Sequence, residues 1–189
     1  MDAVLSYSTI PTDWGFAAII WSERGLCGVV LPERTEDAVR RRVRRQWPDA
    51  VGEPSVAPSL RRRLREYFAG KPVAFDCPID LRALTPFQRQ VLRTCRRIGY
   101  GQVTTYGNLA RTIGRPRAAR AIGGALARNP VPLVVPCHRV IAGSGGLCGF
   151  SAPGGLDMKR RMLEHEATAA RTKGRAAKRK RRRSARVGG

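Results

Sequence analysis

The sequence predicts a mixed α/β chain of the α+β kind, built as two domains. Three observations carry this: apolar runs of strand length fill residues 4–31, apolar residues then recur at helical spacing, and a helix-capping motif at Thr85 opens a second, mostly helical half. Strands gathered at one end and helices at the other are the mark of that class.

Val4 to Ile10, Phe16 to Trp21 and Leu26 to Leu31 are separated by Pro11-Thr12-Asp13 and Glu23-Arg24-Gly25, as in antiparallel strands joined by tight turns. From Arg34 the period lengthens. Val39, Val43 and Trp47 recur every four residues with five arginines between them, which predicts an amphipathic helix ended by Pro48. Leu60, Leu64 and Phe68 share one face of a second helix that starts near Pro58 and is stopped by Gly70 and Pro72. Asp76 to Leu84, with its prolines and a strand-like Cys77 to Leu81, is the expected boundary, giving domains at residues 1–78 and 79–168.

Thr85-Pro86-Phe87-Gln88 is a capping box with proline at the first helical position. Phe87, Val91, Cys95 and Ile98 form the stripe of that helix, which makes Cys95 a core residue, and Gly99 closes it. Thr105 then caps Tyr106 to Ile113, Gly114-Arg115-Pro116 turns the chain, and Ala119, Ile122 and Leu126 mark one face of the next helix. Helix, glycine turn and helix outline a helix-turn-helix, although two packed core helices share that outline. Ala118, Ala119, Ala121, Gly123, Gly124 and Ala125 leave the second helix without bulk, while Arg115, Arg117, Arg120 and Arg128 give it charge. Such a helix suits a narrow groove, or close packing on another helix.

Leu133-Val134-Val135 follows Asn129-Pro130-Val131-Pro132 and is expected as a short strand that delivers Cys137 at its end. Ala142 to Gly155 is a glycine-rich loop of the kind that walls a pocket. A last helix is expected at about Leu156 to Glu166, and residues 169–189 read as a disordered basic tail.

Charge points to the partner. The 189 residues carry a net charge of +22, and the stretch from Leu81 to Leu156 contains eleven arginines and no Asp or Glu. A surface of one sign that wide suits nucleic acid. No apolar run approaches the roughly 20 residues of a membrane span and no leader opens the chain, so a soluble, cytoplasmic protein is expected. Five cysteines at irregular spacings, with no Cys-x-x-Cys pair and only two histidines, argue for reduced thiols and against a disulfide framework or structural zinc. Neither metal nor other cofactor is expected.

Pro136-Cys137-His138-Arg139-Val140 carries the chemistry. A thiol attacks as thiolate, and one of ordinary pKa, about 8.5, stays protonated at neutral pH unless a base or a positive field draws the proton off. His138 and Arg139 follow Cys137 directly. On an extended segment neighbours point to opposite faces, so a bridging water would have to connect thiol and imidazole.

Asn129-Pro130-Val131-Pro132, the run from Pro136 to Ile141, the glycine-rich loop and Lys-Arg-Arg-Met-Leu-Glu-His-Glu at 159–166 together resemble the methylated-DNA–protein-cysteine methyltransferases, the O6-alkylguanine-DNA alkyltransferases. The resemblance reaches back through residues 118–125, Thr105-Tyr106 and the Thr85 box, covering 80–167. Residues 1–75 match the family's ribonuclease-H-like domain by pattern alone. What the resemblance implies is a C-terminal domain with a winged helix-turn-helix, and direct repair of double-stranded DNA. An O6-alkylguanine is flipped out and its alkyl group passes irreversibly to Cys137 in a single turnover. Glu166, His138, a water and Cys137 would form the activating relay, Asn129 would brace the turn, and Tyr106 would sit by the base. Arg120 would fill the vacated stack, with Thr105, Tyr106, Ala119, Gly123, Arg117 and Arg128 also on DNA, while Val140, Ser151, Phe150 and Pro132 would form the pocket, the backbone groups of Cys137, Val140 and Ser151 reading the guanine edge. Phe150 stands where a tyrosine is frequent. The protein is expected to be a monomer in solution; cooperative binding on DNA and activity on O4-alkylthymine stay open.

Three other readings compete. A transcription factor would need the helix-turn-helix and no thiol, and a lesion sensor would bind without removing. A cysteine hydrolase would separate its nucleophile and histidine in sequence and turn over. Cys137, His138 and Glu166 together favour repair.

Overall fold

Antiparallel pairing of the first three apolar runs builds the sheet that organises the N-terminal half. The structure, a computed structural model, describes residues 4–169, so almost all of the expected basic tail lies outside the described residues. Strands β1 (Ser6–Thr12), β2 (Gly15–Ser22) and β3 (Gly25–Glu33) form a meander, and the short β4 (Val51–Gly52) adds in parallel to β1, giving the order β3-β2-β1-β4. Tyr7 opposes Ile20 and Ala18 opposes Val30 across the meander.

Both faces of this sheet are covered, which is why β2 reads as a continuous apolar run rather than an alternating one. Ala18, Ile20 and Val30 pack on Val39 and Val43 of α1 (Glu36–Gln46), capped by the Thr35 side chain. Ile10, Ile19 and Leu31 face the other way, toward Leu60, Leu64, Tyr67 and Phe68 of α2 (Pro58–Phe68) and the helical half beyond.

That half begins with α3 (Pro86–Cys95), where the Thr85 hydroxyl accepts from the Gln88 amide and the Gln88 side chain accepts from the Thr85 amide. Two-residue strands β5 (Thr104–Thr105) and β6 (Val140–Ile141) pair in parallel, and α4 (Tyr106–Thr112) follows β5 under a Thr105 cap. Gly114, at φ +74°, turns the chain toward α5 (Ala119–Ala127), completing a helix-turn-helix on α3. Cys95 is fully buried in the shared core with Val91, Ile122 and Leu126. The helix at 155–169, α6, crosses back to α2: His165 Nε2 lies 2.7 Å from the Tyr67 carbonyl, and Trp14 of the first hairpin packs on Phe68 and His165.

Two expected strands are different objects. Leu133-Val134-Val135 is a tight turn, with Leu133 at φ +76° and the Val135 amide donating to the Val131 carbonyl. Prolines at 130, 132 and 136 remove the donors that a strand would need there. Cys77 to Leu81 makes a single bridge, Ile79 against Leu26 at the edge of β3. The sheet also reaches the active-site region directly, because the Val29 amide donates to the Pro130 carbonyl at 2.8 Å.

The capping box gives a direct stability test. Thr85→Ala should cost about 1 kcal/mol in urea denaturation, with an unchanged m-value.

Candidate active site

Cys137, His138 and Arg139 form one turn of 3-10 helix between the Leu133 turn and β6. Neighbours on such a turn stand about a third of a revolution apart, rather than on opposite faces as in a strand. Cys137 is 8% exposed, and that opening faces a cavity of about 480 Å³ lined also by Tyr106, Ala119, Arg120, Gly123, Phe150 and Ser151. The thiol sits at the wall it shares with the helix-turn-helix.

His138 and Glu166 are buried together behind it. His138 Nε2 lies 2.8 Å from Glu166 Oε1, and the carboxylate also accepts from Arg139 Nε at 2.9 Å, an Arg139 terminal nitrogen at 2.8 Å, the Tyr67 hydroxyl at 2.9 Å and the Gly101 amide at 3.0 Å. Burial pushes this carboxyl up, but the hydrogen bonds from His138 and Arg139 and their charge outweigh it and hold the group at about 2. Glu166 is thus ionised, so Nε2 carries the proton and Nδ1 presents its lone pair. Nδ1 is buried and has no protein partner among the described residues. Burial also drives His138 below its ordinary value despite the carboxylate, leaving the resting imidazole neutral.

The thiol is held by different groups. Burial raises the Cys137 pKa, opposed by a hydrogen bond from Asn129 Nδ2 to Sγ at 3.2 Å and by the Lys159 charge. Asn129 Nδ2 also reaches the Val135 carbonyl at 2.8 Å, and Oδ1 accepts from the Val131 amide, so one side chain fixes the turn and the sulfur together. Arg139, adjacent in sequence, is spent on Glu166 and the Ile98 carbonyl. The cation near sulfur is Lys159, whose buried ammonium donates to the carbonyls of Val140 at 2.7 Å and Cys148 at 3.1 Å.

Other predicted residues fall in several places. The Tyr106 hydroxyl donates to the Cys148 carbonyl across the cavity, and Ser151 Oγ donates to the Ala127 carbonyl. Pro132 lines a second cavity of about 370 Å³ that also reaches Cys137, with Phe150, Ser151, Arg128 and, from the N-terminal half, Arg42 and Trp47. Val140 is buried behind the turn and lines neither cavity; its carbonyl serves Lys159 instead. Thr105 acts as a helix cap with its hydroxyl on the Asn108 amide. Arg117 and Arg120 are exposed at the start of α5, and only Arg120 reaches the cavity. Sequence reasoning missed Lys159, Tyr67, Gly101 and the service of Arg139 to Glu166. An isolated lysine seven residues before Glu166, two turns along the same helix face, was the one available signal.

A helix-turn-helix whose second helix walls a cavity ending on a braced thiol defines a cysteine-dependent protein of the DNA-binding kind. Comparison with known proteins narrows the class. Residues 86–168 match the family described as 6-O-methylguanine DNA methyltransferase, DNA binding domain, and residues 5–81 the corresponding ribonuclease-like domain. A methylated-DNA–protein-cysteine methyltransferase of Mycolicibacterium paratuberculosis is 36% identical over 86% of this chain and 93% of its own length. The Shigella flexneri protein of the same name is 49% identical over 57% of this chain and 61% of its own. The crystal structure of Mycobacterium tuberculosis O6-methylguanine methyltransferase superposes with a TM-score of 0.73 at 35% identity, covering 88% of this chain and 94% of that one. The M. tuberculosis protein OGT in complex with DNA gives the same score over 87% and 94%. The chain belongs to the methylated-DNA–protein-cysteine methyltransferase family.

Two predictions follow from the Glu166 cluster. Its folded pKa lies below the ordinary value of 4.5, so its stabilisation is complete above that pH and is lost as pH falls toward about 2. The melting temperature of the wild type should therefore fall more steeply across that window than that of Glu166→Gln. Tyr67→Phe, which deletes one hydrogen bond to a buried charge, should cost about 1.5–3 kcal/mol in denaturant unfolding.

Proposed function

We propose that Cys137 is the alkyl acceptor and that O6-alkylguanine in duplex DNA is its substrate. The chain is a methylated-DNA–protein-cysteine methyltransferase, which repairs alkylated DNA by moving the alkyl group to its own cysteine. The observation that carries the residue assignment is the cavity of about 480 Å³ shared by Cys137 and the exposed residues of α5.

The proton path follows from the tautomer. With Nε2–H committed to Glu166, the lone pair on Nδ1 is the base, and one water between it and Sγ would relay the thiol proton. The imidazolium so formed gains the Glu166 carboxylate as counter-charge, while the thiolate keeps the Asn129 amide bond and the Lys159 field. Arg139 neutralises Glu166 in the resting state, which keeps the carboxylate from protonating inside the core. Sulfur then displaces guanine from the alkyl carbon. Tyr106, on the same cavity, is the group able to hydrogen-bond the departing base. The product is a thioether, a carbon–sulfur bond not readily cleaved, so one protein repairs one lesion.

The DNA side rests on the small residues of α5. A Cβ added at Gly124 would meet nothing within 4 Å, and one at Gly123 only Tyr106 at 3.8 Å, so packing inside the protein does not demand glycine at either position. An external surface pressed against α5 does. Extrusion of the target nucleotide costs a few kcal/mol, and Arg120, at the cavity mouth, would occupy the space left in the stack. Among the described residues no helix is long and apolar enough to cross a membrane. A cytoplasmic monomer fits this reading.

Labelled O6-methylguanine duplex should deliver about one equivalent of methyl per protein, on the Cys137 peptide, as a covalent acceptor without turnover requires. Continued turnover would overturn the assignment. Cys137→Ala should abolish transfer while retaining lesion binding, and Arg120→Ala should slow reaction on duplex far more than on the free modified base.

A further inference from the structure

The cavity that holds Cys137 contains a second thiol for which the repair reaction has no use. Cys148 is free and exposed, and it lines the same space of about 480 Å³. Its backbone is anchored there: the Cys148 carbonyl accepts from both the Tyr106 hydroxyl at 3.2 Å and the Lys159 ammonium at 3.1 Å. Lys159 donates at the same time to the Val140 carbonyl at 2.7 Å, three residues past Cys137, so one cation ties the loop bearing Cys148 to the turn bearing the acceptor. The Lys159 charge interacts with both sulfurs. The Cys148 side chain lies against the Tyr106 hydroxyl, and Gly145 and Gly149 on either side hold positive φ of +83° and +48°. The thiol is thus in no disulfide and open to the cavity, on a loop whose course needs glycines.

We propose that Cys148 is a second nucleophile that captures alkyl groups carrying their own leaving group, converting a lesion of the 2-haloethyl class into a thioether bridge between Cys137 and Cys148. The inference rests on Cys137 being the acceptor. With a methyl group the first transfer ends the chemistry. With a 2-chloroethyl group on guanine O6, attack by Cys137 breaks the carbon–oxygen bond, guanine leaves with the electron pair, and the protein carries an S-(2-chloroethyl) thioether. The Cys137 sulfur lone pair then expels chloride and closes a three-membered episulfonium ring. Cys148 sulfur attacks a ring carbon, the bond from that carbon to the positive sulfur breaks and returns its pair to Cys137, and the Cys148 proton passes to water. The product is a neutral ethylene bridge, chloride and one proton. Without Cys148, the same electrophile would be open to water or to the DNA lying on the cavity.

The test uses the full chain and duplex DNA bearing O6-(2-chloroethyl)guanine, with peptide mass spectrometry of the reacted protein. The expected product is the Cys137 and Cys148 peptides joined, with a gain of C2H4 and loss of both thiol hydrogens. Cys148→Ser should lack that species and accumulate S-hydroxyethyl Cys137 or a covalent protein–DNA adduct. The proportion bridged among alkylated molecules is independent of how fast either protein accepts. A wild-type product consisting of S-hydroxyethyl Cys137 with an unmodified Cys148 would overturn the inference. A parallel O6-methylguanine duplex separates the two readings, since absence of methyl on Cys137 would strike at the acceptor assignment itself.

Discussion

A single buried carboxylate sets the geometry on which the rest of the site depends. Glu166 takes hydrogen bonds from His138, Arg139, Tyr67 and the Gly101 amide, which come from the Cys137 turn, from α2 and from the segment ahead of β5. A charge removed from water is tolerable only when paired and hydrogen-bonded, and here both conditions are met at once. The arrangement also assigns protons. Burial and the adjacent carboxylate push the Tyr67 phenol well above its ordinary range, so it remains a donor, and the imidazole is left with one committed and one available nitrogen.

Separation of charges organises the turn. Three cationic side chains converge on it in sequence or space, yet they do different things: Arg139 balances Glu166, Lys159 sits by the thiol and locks two carbonyls, and Arg120 stays exposed at the cavity mouth. Desolvation keeps the resting sulfur protonated, while Asn129 and Lys159 favour the anion once the proton has somewhere to go.

Much of this was legible in the chain because it is written in local rules. The Thr85 box, the strand runs of the first hairpins and the four-residue recurrence of Val39, Val43 and Trp47 are readable without tertiary knowledge, and the elements lie where those rules put them. Leu133-Val134-Val135 was misread because apolar β-branched residues suggest a strand, whereas three nearby prolines and a left-handed Leu133 impose a turn. Lys159 and Tyr67 escaped notice for another reason. Their partners lie 19 and 99 residues away, a separation that no periodicity encodes. Val140 shows a related limit, since its side chain fills the core while its carbonyl holds Lys159, a service that side-chain identity does not encode.

The bond from Tyr67 to Glu166 bears on how the two halves can be exchanged. Because α2 supplies a donor to the carboxylate that holds His138, and β3 holds Pro130 beside the Cys137 turn, the N-terminal half is wired into this cluster rather than appended to it. A chimera that grafts this C-terminal half onto a relative's sheet would inherit the thiol, the imidazole and the helix-turn-helix. Unless the relative supplied a phenol at the matching turn of α2, the Glu166 cluster would be assembled one contact short.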